Sequence, residues 1–162
     1  MLDRFEVFRD AEKLVQSWGP IEYLFPQTKG DRFKLGDRVG VIVSGGETKD
    51  AATDLRYGWM TLGFKTTPEV RKGLPYIYED DLLTGGRFQT FFKSRRCLIP
   101  VDRWFYHKQN ALGKNWFCFH PIEKTPMAFA GLFNSFGFPD GTKINTVAII
   151  GITNVLQRLS YM

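Results

Sequence analysis

Few residues in this chain can do chemistry, and they are scattered. There are two cysteines, Cys97 and Cys118, and two histidines, His107 and His120. A zinc site needs about four thiolate or imidazole ligands at set spacing. With no CxxC pair, this set is too small for structural zinc and for a disulfide framework. No metal or cofactor is expected. Both cysteines sit in apolar runs, Arg-Arg-Cys-Leu-Ile-Pro-Val and Trp-Phe-Cys-Phe-His. That setting predicts buried, reduced thiols. Glu79, Asp80 and Asp81 form an acidic turn in an otherwise basic protein. A solvated loop is its plain reading; lining a pocket, it would repel phosphate.

The basic residues have a clearer direction. Lys and Arg total 22 against 17 Asp and Glu, a net charge of +5. They gather at Lys29 to Arg38, at Arg71-Lys72 and at Lys93 to Arg96. Such patches favour phosphate contact through counterion release, or form a solvated surface with no partner. Aromatic residues make up 15% of the chain, including 15 Phe and 4 Trp. Most must fill a core, and some can be platforms on which unpaired bases stack. Composition does not separate these roles.

The elements that would position these groups are short. Asp10 to Trp18 spaces Ala11, Leu14, Val15 and Trp18 for one apolar helix face, stopped by Gly19-Pro20. Val39 to Val43 reads as a strand ending in the turn Ser44-Gly45-Gly46, and Leu55 to Leu62 as another. Glu69 to Gly86 reads as loop with a helical turn, and Phe88 to Lys93 as a short helix. Strands follow at Cys97 to Val101, Arg103 to His107, Trp116 to His120, Met127 to Phe133 and Asn145 to Gly151. Turns at Asn110 to Gly113 and Pro139 to Gly141 separate some of them. The pattern predicts one α+β domain over residues 1–162. It is β-rich, a curved sheet or partly open barrel with a few short helices. No run is long enough to span a bilayer, and charges at Asp3, Arg4 and Glu6 break any signal-peptide core. A cytoplasmic protein is expected.

Several segments, in order, resemble the SOS-response-associated peptidase (SRAP) family. Met1-Leu2-Asp3-Arg4-Phe5 is similar to that family's opening Met-Cys-Gly-Arg-Phe. Arg32 to Asp37 resembles its Arg-Tyr-Asn-x-Ala-Pro, and Arg56 to Thr61 its Arg-Trp-Gly-Leu-x-Pro. The specific matches are Arg95 to His107, against Arg-Arg-Cys-Leu-Ile-Pro-Ala-Asp-Gly-Phe-Tyr-Glu-Trp, and Phe129-Ala-Gly-Leu-Phe133, against Phe-Ala-Gly-Leu-Trp. Ala148 to Gly151 resembles a following Ile-Ile-Thr strand. The resemblance implies an SRAP-like fold, truncated at its C-terminus, and a DNA-damage setting in which single-stranded DNA carrying abasic sites is the partner.

The departures fall where the family's chemistry resides. There the Cys after the initiator Met uses its amine and thiol to capture the abasic aldehyde. Here that position is Leu2. The family's catalytic Glu aligns with Tyr106, its Asn-Ala-Arg segment with Tyr76 to Glu79, and its His with Ser160 or Tyr161. A phenol with a pKa near 10 is a poor replacement for a carboxylate at neutral pH. The resemblance therefore implies a scaffold without the catalytic set, Leu2 and Tyr106 being its degenerate positions.

What remains for DNA is Arg4, Lys34, Trp59, Phe64 and Trp104. For Arg4 the bland role is a surface ion pair, for Lys34 a solvated loop, and for Trp59 and Phe64 core packing. Strand alternation puts one of Trp104 and Phe105 in the core and turns His107 away from Tyr106. Arg95 and Arg96 are read as structural supports. Three functions stay open: a non-catalytic binder of single-stranded or abasic DNA; a protein-interaction module on the same scaffold, in phage-related use; and a residual enzyme reacting through an amine. The acidic turn and the residues Asp3 and Asp37, where the family has Gly and Pro, favour the second.

Overall fold

A computed structural model describes residues 2–7, 21–23, 30–44, 55–83, 85–111, 113–122, 125 and 127–151. Its strands are β1 (Leu2–Val7), β2 (Ile21–Tyr23), β3 (Gly30–Phe33), β4 (Arg38–Ser44), β5 (Leu55–Leu62), β6 (Tyr76–Tyr78), β7 (Arg96–Val101), β8 (Arg103–Asn110), β9 (Gly113–Phe119), β10 (Met127–Gly137) and β11 (Lys143–Gly151). One α-helix, α1 (Gln89–Ser94), is described, and Glu79–Asp81 forms a single 3-10 turn. The β-rich α+β expectation holds. The helix expected over Asp10 to Trp18 and the Gly45-Gly46 turn lie outside the described residues.

The strands make two sheets. Seven run in the order β2-β5-β4-β7-β10-β11-β6, and β5 also pairs with β11. That pairing is parallel, Thr61 to Thr146 and Leu62 to Val147, and it closes β5, β4, β7, β10 and β11 into a barrel. The others form a four-stranded antiparallel sheet, β3-β1-β8-β9.

Side-chain alternation along β11 explains the layering. Val147 and Ile149 enter one core with Val39, Val41, Leu62, Ile99 and Val101. Ala148, with Ile150 half-buried beside it, faces a second core of Phe64, Ile77, Leu82, Phe88 and Leu132, onto which Phe91 and Phe92 of α1 pack. A wall strand buried on both faces reads as a near-continuous apolar run, as Thr146 to Ile150 does. The barrel wall is fastened by buried polar groups as well. Asn134 donates to the carbonyls of Lys65 (3.0 Å) and Thr66 (3.2 Å), and Lys65 N–H donates to Thr146 Oγ1 (3.2 Å).

Two expectations are corrected. Glu69 to Gly86 is not only loop and turn: it contains β6, parallel to β11 with Ile77 opposite Ile150. Three residues are too few for alternation to announce a strand, and only the tertiary pairing makes one. Cys118 is exposed, not buried. It stands on β9, an edge strand whose seven residues are all exposed. Cys97 is buried as expected.

Candidate nucleic-acid interface

The small sheet is organised around one aromatic row. The register aligns Phe33 of β3, Phe5 of β1, Trp104 of β8 and Phe119 of β9 across all four strands. Phe5 stacks on Phe33 at 5.0 Å between ring centroids, and Trp104 on Phe119 at 5.2 Å with the planes 10° apart. Phe129 of the barrel meets both Phe5 and Trp104 edge-on. This row docks the small sheet on the first core, where Phe5 is buried and Trp104 half-buried. Of Trp104 and Phe105, Trp104 is the core residue.

An ion pair fixes β1 against β8. Glu6 is buried, sits opposite Arg103 in register, and accepts from its Nε–H. The Arg103 guanidinium also lies 5.6 Å from the Phe105 ring centroid. Charge-assisted hydrogen bonds of this kind are among the stronger ones, and Glu6 would be costly to bury without one. The pair was not singled out in the sequence; its signal is the placement of Glu6 and Arg103 on adjacent antiparallel strands.

The next row outward holds the degenerate positions. Leu2 pairs with Tyr106, and Tyr106 with Phe117. The register slips by one residue between Leu2 and Arg4, so that Arg4 stands opposite Phe105. Tyr106 is half-buried, its ring 6.2 Å from that of Phe117, which is 44% exposed. On the reverse face His107 meets Trp116 at 5.3 Å. His107 is thus turned away from Tyr106, on a partly exposed face.

The remaining residues divide. Lys34 is exposed and follows Phe33 in a turn closed by its N–H to Asp37 Oδ2 (2.9 Å), with Gly36 at φ 93°. Glycine suits that left-handed conformation. Trp59 is half-buried and edge-on to Tyr57. With Phe5, Phe33 and Val7 it lines a depression with room for roughly one water molecule. Trp59 thus stands beside the small sheet at the barrel, Trp104 reaches the barrel through Phe129, and Lys34 follows Phe33 at the end of β3. Phe64 does not join them: it is 1% exposed in the second core, edge-on to Phe88 and Phe91, with no ring face open to a base. Arg95 and Arg96 have supporting roles, as expected. Arg95 donates to Asn134 and lies over Phe91, and Arg96 lies over Phe92. The acidic turn Glu79–Asp81 follows β6, at the edge of the large sheet.

Burial alone pushes the Cys97 thiol up to about 12. Its thiolate is therefore unavailable as a nucleophile near neutral pH. Among the described residues no three of His, Cys, Asp and Glu gather to hold a metal, and no helix is long and apolar enough to cross a membrane. The arrangement can offer aromatic faces and positive charge.

The family model described as SOS response associated peptidase (SRAP) matches residues 1–158. No curated protein matches. Solved structures do. A protein of Bordetella bronchiseptica aligns at TM-score 0.70 and 13% identity, covering 96% of this chain and 75% of its own. One from Bacteroides thetaiotaomicron aligns at 0.69 and 14%, covering 95% and 70%. A phage-related protein of B. bronchiseptica aligns at 0.65 and 19%, covering 91% and 67%. At these identities the likeness is one of fold.

Proposed function

Because the chain belongs to the SOS response associated peptidase family, we propose that it is a non-catalytic member that binds single-stranded or abasic DNA in a DNA-damage setting without crosslinking to it. The observation that carries this reading is the β1–β8 register, in which Leu2 pairs with Tyr106. These are the positions where the resemblance places the family's nucleophilic Cys and its catalytic Glu. Leucine and tyrosine at these positions supply neither a thiol to close a ring on the aldehyde nor a carboxylate to move protons at neutral pH. The net charge of +5 and the exposed Lys34 support contact with phosphate.

Two measurements test the reading. Fluorescence anisotropy with a labelled single-stranded oligonucleotide should show binding at low salt that weakens as salt rises. No binding at low salt overturns the DNA reading in favour of a protein partner. The second is incubation with an abasic oligonucleotide, with and without borohydride. It should leave no heat-stable band without reductant, and such a band overturns the non-catalytic reading.

A further inference from the structure

Every residue of β9 is exposed, although four in succession, Trp116 to Phe119, are aromatic or sulfur-bearing. Trp116 is 53%, Phe117 44% and Phe119 40% exposed. Among the described strands β9 is an outer one of its sheet, and large exposed apolar side chains on such a strand invite an occupant. Charge selects which one. From Arg103 to His120 the hairpin contains Arg103, Lys108 and Lys114 and no Asp or Glu. Pairing β9 with the β9 of a second copy would set two positively charged hairpins against each other. A polyanion with flat apolar rings matches both the charge and the aromatics.

The register narrows the site to one face. Tyr106 and Phe117 occupy the row next to Trp104 and Phe119, on the face that holds the Leu2–Tyr106 pairing. Successive residues on a strand point to opposite faces, so Trp116, paired with His107, lies on the reverse side. Phe119 is engaged by Trp104, whereas Phe117 has only a tilted contact with Tyr106. Phe117 is the more open ring of that pair, at the rim of the degenerate site.

We infer that Phe117 is a base-stacking residue, and that a single-stranded nucleic acid crosses the Tyr106–Phe117 row with one base lying on the Phe117 ring. This rests on the proposed DNA-binding function and extends it to a residue outside the segments that carry the family resemblance. One stacked base is worth about 1–3 kcal/mol, or roughly five- to hundredfold in affinity.

The test is anisotropy with a labelled oligonucleotide across a salt series for three proteins: the full chain, Phe117→Ala and Trp116→Ala. Thermal melts establish that all three are folded. Phe117→Ala should bind at least fivefold more weakly with an unchanged salt slope, since no phosphate contact is removed. Trp116→Ala should bind as the parent does, although its ring is the more exposed. If the parent binds with salt dependence and Phe117→Ala binds equally well, the inference fails while the DNA reading stands. Equal loss in both variants also overturns it, because face selectivity is its content. If the parent does not bind but sediments as a dimer that Phe117→Ala dissolves, the occupant is a second copy, and both readings fall.

Discussion

In the folded protein Cys97 should be almost inert to thiol reagents, and its inertness should be measurable as a rate. Its side chain fills the space over Gly131, its partner across β7 and β10. A Cβ added at Gly131 would lie 2.7 Å from Cys97 Sγ. Burial pushes the thiol from an ordinary 9.0 up to about 12. Three units reduce the thiolate at pH 8 about a thousandfold relative to an ordinary thiol, before any loss of access is counted. Cys118 is exposed on β9 and is the thiol that should react first. Iodoacetamide labelling followed by peptide mass analysis should find Cys118 modified quickly, with Cys97 modified at least a hundredfold more slowly. Denaturant should release both. The same shift makes stability pH-dependent. The folded state holds the Cys97 proton more tightly than the unfolded state, so its contribution is complete below pH 9 and is lost as pH rises towards 12. Three units correspond to at most about 4 kcal/mol. Cys97→Ala, compared with the parent by denaturant melts between pH 8 and 11, should lack that part of the decline. Native labelling rates for the two cysteines within tenfold of each other, or identical pH slopes for parent and variant, would refute the burial argument.

Other outcomes follow from the fold and the site. Asn134→Ala leaves the carbonyls of Lys65 and Thr66 without their donor, which costs about 1–3 kcal/mol and should lower Tm by roughly 3–10 °C in a calorimetric scan. Gly73→Ala should destabilise by at least about 2 kcal/mol, measured by urea melts, because its Cβ would lie 2.1 Å from the carbonyl oxygen of Gly63, a backbone atom that cannot rotate aside. Leu2→Cys combined with Tyr106→Glu, with the initiator Met removed, should produce a heat-stable abasic crosslink on a denaturing gel if the scaffold still presents these positions to DNA.

How far the sequence reached depended on how local each signal was. β5 was legible to its ends, because Leu55 to Leu62 is rich in aromatic and aliphatic residues and is bounded by Asp54 and Gly63. The ordered family segments marked Leu2 and Tyr106 as the degenerate positions; their pairing across β1 and β8 is visible only in the structure. Cys118 is exposed despite its apolar run, because burial on a strand also depends on having a neighbour on each side, and among the described strands β9 pairs with β8 alone. Phe64 was offered to DNA on the strength of its place in the resemblance. Only the placing of Phe91 on α1 and of Phe88 just before it, both edge-on to its ring, shows it to be core. Phe117 was passed over because aromatic composition alone carries no direction. The cross-strand register supplies one.

The parallel seam between β5 and β11 bears on how the molecule is built. Thr61 meets Thr146 across about 85 residues of intervening chain. Contacts of such high sequence separation carry a loop-closure cost before they are rewarded, and folds that depend on them fold slowly. Until β11 emerges from the ribosome, β5 lacks this neighbour, and Leu62 and Val147 cannot share a core. The nascent chain must therefore wait with apolar strands unsealed. Unsealed apolar strands of this kind are where aggregation of a growing chain begins.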